Sequence, residues 1–175
     1  MKRKKRYSAT LLVLWFVLSL MSPVFILAYT EKNPLWVTVA GILLPLGFYS
    51  VFAVLSRRSG RMVWAGFIFI FFSAFQIVLS YLFGNSVVAT DMFLNLITTN
   101  PSEASELLSN IYPSVIAVCV IYLPMLFMAS VHLRRKIELS AKVRSVMATL
   151  GGISFLAGCL VLWQGCKGEV RNVLR

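Results

Sequence analysis

Met62–Phe83 reads Met-Val-Trp-Ala-Gly-Phe-Ile-Phe-Ile-Phe-Phe-Ser-Ala-Phe-Gln-Ile-Val-Leu-Ser-Tyr-Leu-Phe, without a single lysine, arginine, aspartate or glutamate. A helix of roughly 20 apolar residues, rising 1.5 Å per residue, covers the ~30 Å hydrocarbon layer of a bilayer. Hydrocarbon offers no partner to a backbone N–H or C=O, so such a run must satisfy itself as a helix. Four further runs have the same character: about Tyr7–Tyr29, Leu35–Leu55, Ile111–Leu133 and Val146–Trp163. The expected fold is therefore an all-α polytopic membrane protein of one domain, with spans at about 7–29, 35–55, 62–83, 111–133 and 146–163. Pro23, Pro45 and Pro124 fall inside these spans, where proline removes a helical hydrogen bond and favours a kink.

Composition agrees. The 175 residues are 59% hydrophobic and 13% charged, whereas a soluble domain carries about a quarter charged residues. The net charge of +11 would suggest nucleic acid in a soluble protein, but here the cations sit in short stretches flanking apolar blocks. That placement points to membrane topology and anionic headgroups, not to a nucleic-acid face. The first run follows a Lys-Arg-Lys-Lys-Arg cluster, yet it is longer than the apolar core of a signal peptide and reads as an uncleaved span.

Lysine and arginine set the expected orientation. Lys2 to Arg6 precede the first span; Arg57, Arg58 and Arg61 lie between the second and third. Arg134, Arg135, Lys136, Lys142 and Arg144 lie between the fourth and fifth. The other side has Lys32, Lys167, Arg171 and Arg175, together with Glu31, Asp91, Glu103, Glu106 and Glu169. The N-terminus is expected in the cytoplasm, and the C-terminus and the Asp91 segment outside. Tyr29, Trp36, Tyr81, Tyr112 and Trp163 would mark the outer interface, and Tyr7 and Trp64 the inner one.

No span has an ionisable Lys, Arg, Asp or Glu near its middle, which disfavours a proton- or ion-coupled transporter. His132, the only histidine, falls beside Arg134 and Arg135 at the inner end of its span and reads as a snorkelling interfacial residue. The fifth span carries Gly151, Gly152, Ser154 and Gly158, a small-residue face suited to close helix packing. Cys119, Cys159 and Cys166 have no metal or disulfide spacing.

The one long polar passage between spans, about 85–110, is expected to form amphipathic external helices. Asp91, Asn95, Thr99 and Glu103 recur every fourth residue, which in one helix makes a polar stripe, with Met92, Phe93, Leu94, Leu96 and Ile97 between them. Asn100-Pro101-Ser102-Glu103 also has the form of a helix start: an Asn cap, Pro at the first position and Glu closing a capping box. The stripe could bind a phospholipid headgroup, with Asn95 and Thr99 donating to phosphate oxygens and Glu103 pairing with an ammonium. A capping carboxylate keeps lone pairs for a second donor, so both roles are compatible.

The chain resembles the N-terminal membrane domain of the bacterial phosphoethanolamine transferases, including those that modify lipid A in lipopolysaccharide. The most specific part is Asp91-x-x-x-Asn95-x-x-x-Thr99-Asn100-x-x-Glu103-Ala104. The resemblance implies that Asn95, Thr99 and Glu103 bind the donor phosphatidylethanolamine, with Asp91 and Asn100 in support. It also implies an inner-membrane location and a periplasmic catalytic domain beyond the fifth span. That domain would carry a threonine nucleophile and zinc, of the alkaline phosphatase and sulfatase type. With one histidine and no ligand cluster, these 175 residues supply neither, so catalytic residues, metal ligands and cofactors are not expected within them. The alternative expectation is a non-enzymatic assembly partner or a small transporter.

Overall fold

A computed structural model of the chain describes the backbone of residues 2–82 and 101–173, and side chains over 7–81 and 111–168. Six helices are described: α1 (Lys2–Thr30), α2 (Leu35–Ala53), α3 (Ser59–Ala65), α4 (Phe67–Leu82), α5 (Pro101–Arg134) and α6 (Ala141–Val173). Stretches of α1, α2, α5 and α6 are each long and apolar enough to cross a bilayer, and the pair α3–α4 passes the same test when taken together. The protein is all-α and polytopic, as its hydropathy leads one to expect.

The run expected as one straight third span is broken. α3 and α4 meet at a 58° bend, with Gly66 between them. A Cβ on Gly66 would stand 2.6 Å from Phe16 Cζ and 3.1 Å from Phe52 Cε1, so only glycine lets the aromatic rings close on the corner. The pair nevertheless runs from one end of the bundle to the other. Ser59, at the start of α3, bonds His132, while Tyr81 near the end of α4 shares a cavity with Pro113. Those two α5 residues lie about 28 Å apart at 1.5 Å per residue, a full hydrocarbon thickness.

α1 is the centre of the bundle. Leu12, Val13, Phe16, Leu20 and Met21 are buried, and α1 packs on α2, α3, α4 and α5. Pro23 sits inside α1 and has no N–H to give the carbonyl of Ser19, four residues earlier. Two hydroxyls take its place on that oxygen, Ser22 Oγ at 2.7 Å and Tyr122 Oη at 2.9 Å, and Ser73 Oγ of α4, 2.8 Å from Tyr122 Oη, supports the tyrosine. The Ser19 hydroxyl in turn donates to Phe16 O at 2.9 Å. Neighbouring helices α4 and α5 thus repair the defect that proline leaves in α1, as a water-free core requires.

α6 packs chiefly on α2, and much of its remaining surface carries exposed Leu150, Ile153, Leu156, Leu160 and Trp163. The contact is backbone on backbone. A Cβ at Gly47 would meet Phe155 N at 2.6 Å and Gly151 O at 2.7 Å, and one at Gly151 would meet Gly47 O at 3.1 Å. Ser154 Oγ donates to Leu43 O at 3.0 Å across the same seam. The expected small-residue face is therefore real at Gly151, Ser154 and Gly158, but Gly152 has open space beside it.

Two element boundaries differ from the sequence reading. α6 extends past 146–163 in both directions, to Ala141 and Val173. α5, described from Pro101, continues without interruption through Pro113 and Pro124 to Arg134, while the expected cap residue Asn100 lies outside the described residues. Between Pro101 and Ile111 there is no glycine or second proline, and Glu, Ala and Leu favour helix, so nothing ends the external helix before the span. At 34 residues, α5 is about 51 Å long, well beyond the hydrocarbon.

Candidate functional site

The headgroup stripe falls mostly outside the described residues: Asp91, Asn95, Thr99 and Asn100 lie within 83–100. Glu103 is on the first turn of α5, about 12 Å of helix axis before Ile111, and its side chain is likewise outside the described set. What the structure places beneath Glu103 is the end of the bundle opposite the arginine-rich loops.

There α1, α4 and α5 enclose an open cavity of about 300 Å³, lined by Ile26, Ile77, Ser80, Tyr81, Pro113 and Ser114. Its walls are largely apolar, with two serine hydroxyls and one phenol as polar groups. Ser114 Oγ donates to Ile111 O at 2.8 Å, which leaves its lone pairs toward the cavity side of the helix free to accept. A recess of this make-up suits an apolar chain attached to a polar group. Around the same end, Asn33 Nδ2 donates to Glu31 Oε2 at 2.7 Å, and Lys167 Nζ lies 4.9 Å from the ring centre of Trp163, a cation–π contact.

The arginine-rich end is built more tightly, around a residue the sequence reading placed wrongly. His132 does not snorkel: it is 3% exposed. Its Nε2 lies 2.8 Å from Ser8 Oγ of α1 and its Nδ1 3.1 Å from Ser59 Oγ of α3. Ser59 Oγ also donates to Ile137 O at 3.3 Å. In the tautomer in which the Ser59 hydroxyl donates to Ile137 O, Nδ1–H donates to Ser59 and Nε2 accepts from Ser8; in the other tautomer these two directions reverse. Ser59 N–H donates to Ile137 O at 3.3 Å and Leu139 N–H to Arg57 O at 2.8 Å, a one-rung antiparallel bridge of Arg58 with Glu138. Arg144 Nε closes the end of α2 by donating to Val54 O at 3.1 Å. Adjacency to Arg134 and Arg135 suggested solvent exposure for His132. The contrary signal was the pair of distant serines, which no spacing along the chain links to it.

Beside this network lies a second cavity, of about 340 Å³, with Ser8, His132 and Arg135 on its polar side and Phe127, Met128, Val131 and Ile137 on its apolar side.

No known protein family, curated protein or solved structure matches the chain.

Proposed function

We propose that the chain is the membrane-anchoring and donor-lipid-binding domain of a phosphoethanolamine transferase, acting on phosphatidylethanolamine and passing its headgroup to lipid A or another surface glycolipid. The observation that carries the reading is the Asp91, Asn95, Thr99, Asn100, Glu103 pattern in the segment between the third and fourth spans. In this reading Asn95 and Thr99 donate to the lipid phosphate, and Glu103 pairs with the ammonium. Such a pair strengthens where water is partly excluded. Asp91 and Asn100 support them, and the apolar recess below Ser114 offers room for part of an acyl chain.

The chemical step belongs to a separate periplasmic domain bearing threonine and zinc, to which this chain delivers donor lipid. The membrane is the bacterial inner membrane, with the N-terminus cytoplasmic and the C-terminus periplasmic.

The test is phosphatidylethanolamine binding by the purified chain in nanodiscs. Glu103→Gln keeps the size and can still cap the helix but loses the charge, so binding should fall about tenfold, the loss of one charge-assisted bond. Normal binding by Glu103→Gln, together with a loosened helix in Glu103→Ala, would reduce Glu103 to a cap. Solute flux through proteoliposomes would favour a small transporter instead.

A further inference from the structure

The cavity at the arginine-rich end is independent of the donor-lipid reading and lies at the opposite face of the bundle. We propose that it is a binding site for one anionic phospholipid, a phosphate diester without a compensating ammonium, held by its headgroup at Arg135.

Three observations support this occupant. First, the lining is divided as an amphiphile is divided. Arg135, Ser8 and His132 form one side, and Phe127, Met128, Val131 and Ile137 the other. Phe127 is exposed on the side of the apolar stretch Ile111–Arg134, which gives acyl chains a sideways entry from the hydrocarbon. Second, the charge is one-sided. Among the described residues at this end, Arg57, Arg58, Arg61, Arg134, Arg135, Lys136, Lys142 and Arg144 face a single acid, Glu138. An anionic lipid is drawn to such a surface by about 1 kcal/mol per cation. Third, the histidine of the polar wall is already held and hydrogen-bonded. His132 is fixed between Ser8 and Ser59, so the site is preformed and its histidine does not need the ligand. The Ser8 oxygen, bonded to His132 Nε2, has lone-pair capacity left for a hydroxyl on the headgroup. The planar guanidinium of Arg135 matches two phosphate oxygens.

A zwitterionic lipid fits less well, because its ammonium would lie among these cations. The diffuse alternative, lipid attracted to the whole basic surface, predicts no dependence on cavity shape.

The experiment is lipid binding by native mass spectrometry of the full chain in detergent, titrated with phosphatidylglycerol and, separately, phosphatidylcholine. The expected result is preferential binding of the first. That binding should weaken about tenfold in Arg135→Gln, the loss of one bidentate charge-assisted pair. Arg61→Gln, which removes an exposed charge outside the lining, should change it less than about twofold. Val131→Phe fills the cavity without altering charge and should weaken binding as Arg135→Gln does. Met128→Phe serves if Val131→Phe fails to keep the wild-type melting temperature. Equal losses in Arg135→Gln and Arg61→Gln, or undiminished binding in the cavity-filling variant, would overturn the site and leave only surface charge.

Discussion

The hydroxyl of Tyr122 on α5 donates to the carbonyl of Ser19 on α1, the one carbonyl that Pro23 deprives of its helical donor. The two features are coupled, because restoring an N–H at position 23 would give Ser19 O a partner of its own. Tyr122→Phe should cost about 1 kcal/mol, the usual scale of an interhelical hydrogen bond. In a Pro23→Ala background the same change should cost half that or less. Unfolding in mixed micelles gives both values as a double-mutant cycle; equal costs in the two backgrounds would separate the tyrosine from the proline.

The seam between α2 and α6 makes opposite predictions for adjacent glycines. Gly151→Ala sets a Cβ 2.9 Å from Ser50 Cβ and 3.1 Å from Gly47 O, and overpacking of this kind costs about 1–3 kcal/mol. Gly152→Ala meets nothing within 4 Å and should gain up to about 1 kcal/mol from helix propensity. Melting temperatures of the two variants should therefore move apart. Because α6 rests chiefly on α2, the Gly151 variant should also lose protection of α6 from proteolysis before the rest of the bundle.

Ser59 and Ser8 both bond His132, yet removing them should not be equivalent. Ser59 is 1% exposed, and its hydroxyl links His132 Nδ1 to Ile137 O. Ser59→Ala leaves the buried imidazole Nδ1 without its hydrogen-bond partner, a loss of about 1–3 kcal/mol. Ser8 is only partly buried and lines an open cavity, so water can replace it in Ser8→Ala and the cost should stay near 0.5 kcal/mol. A similar destabilisation in both variants, measured by thermal unfolding, would contradict the closed and open sides assigned to this histidine.

The apolar runs made the helical membrane fold legible, because a bilayer leaves a long uncharged segment no other structure. They could not show the corner at Gly66. That break depends on Phe16 and Phe52 closing on it from two other helices, whereas glycine within a membrane run is ordinary. His132 was misread for a related reason: its neighbours in sequence are cations, while its partners Ser8 and Ser59 are 124 and 73 residues away. The capping pattern at Asn100-Pro101 turns on Asn100, which lies outside the described residues. The continuity of α5 from Pro101 into the span was not legible, since the polar residues up to Asn110 mark a change of solvent and not a change of backbone. Of the headgroup residues, only Glu103 falls on a described element, so the stripe rests on its sequence pattern.

Packing fixes which segments share an end of the bundle, and labelling can assign the sides. Trp36 abuts Gly165, and Ile26 shares a cavity with Tyr81 and Pro113; Arg144 reaches Val54 at the other end. With α3–α4 counted as one span, the crossings would alternate, and the positive-inside rule predicts that the Arg144 end faces the cytoplasm. Native cysteines provide part of the readout: all three are exposed, Cys166 beside Lys167 two residues from the end of the apolar stretch of α6, and Cys119 and Cys159 deeper within spans, where they should meet lipid. A membrane-impermeant maleimide applied to spheroplasts should label Cys166 and, in a Cys166→Ser background, a cysteine at Glu106. It should label a cysteine at Ser140 only after the membrane is permeabilised. Labelling of position 140 on intact spheroplasts would invert the orientation, while labelling of positions 106 and 140 from the same side would remove one crossing and make α3–α4 a re-entrant pair.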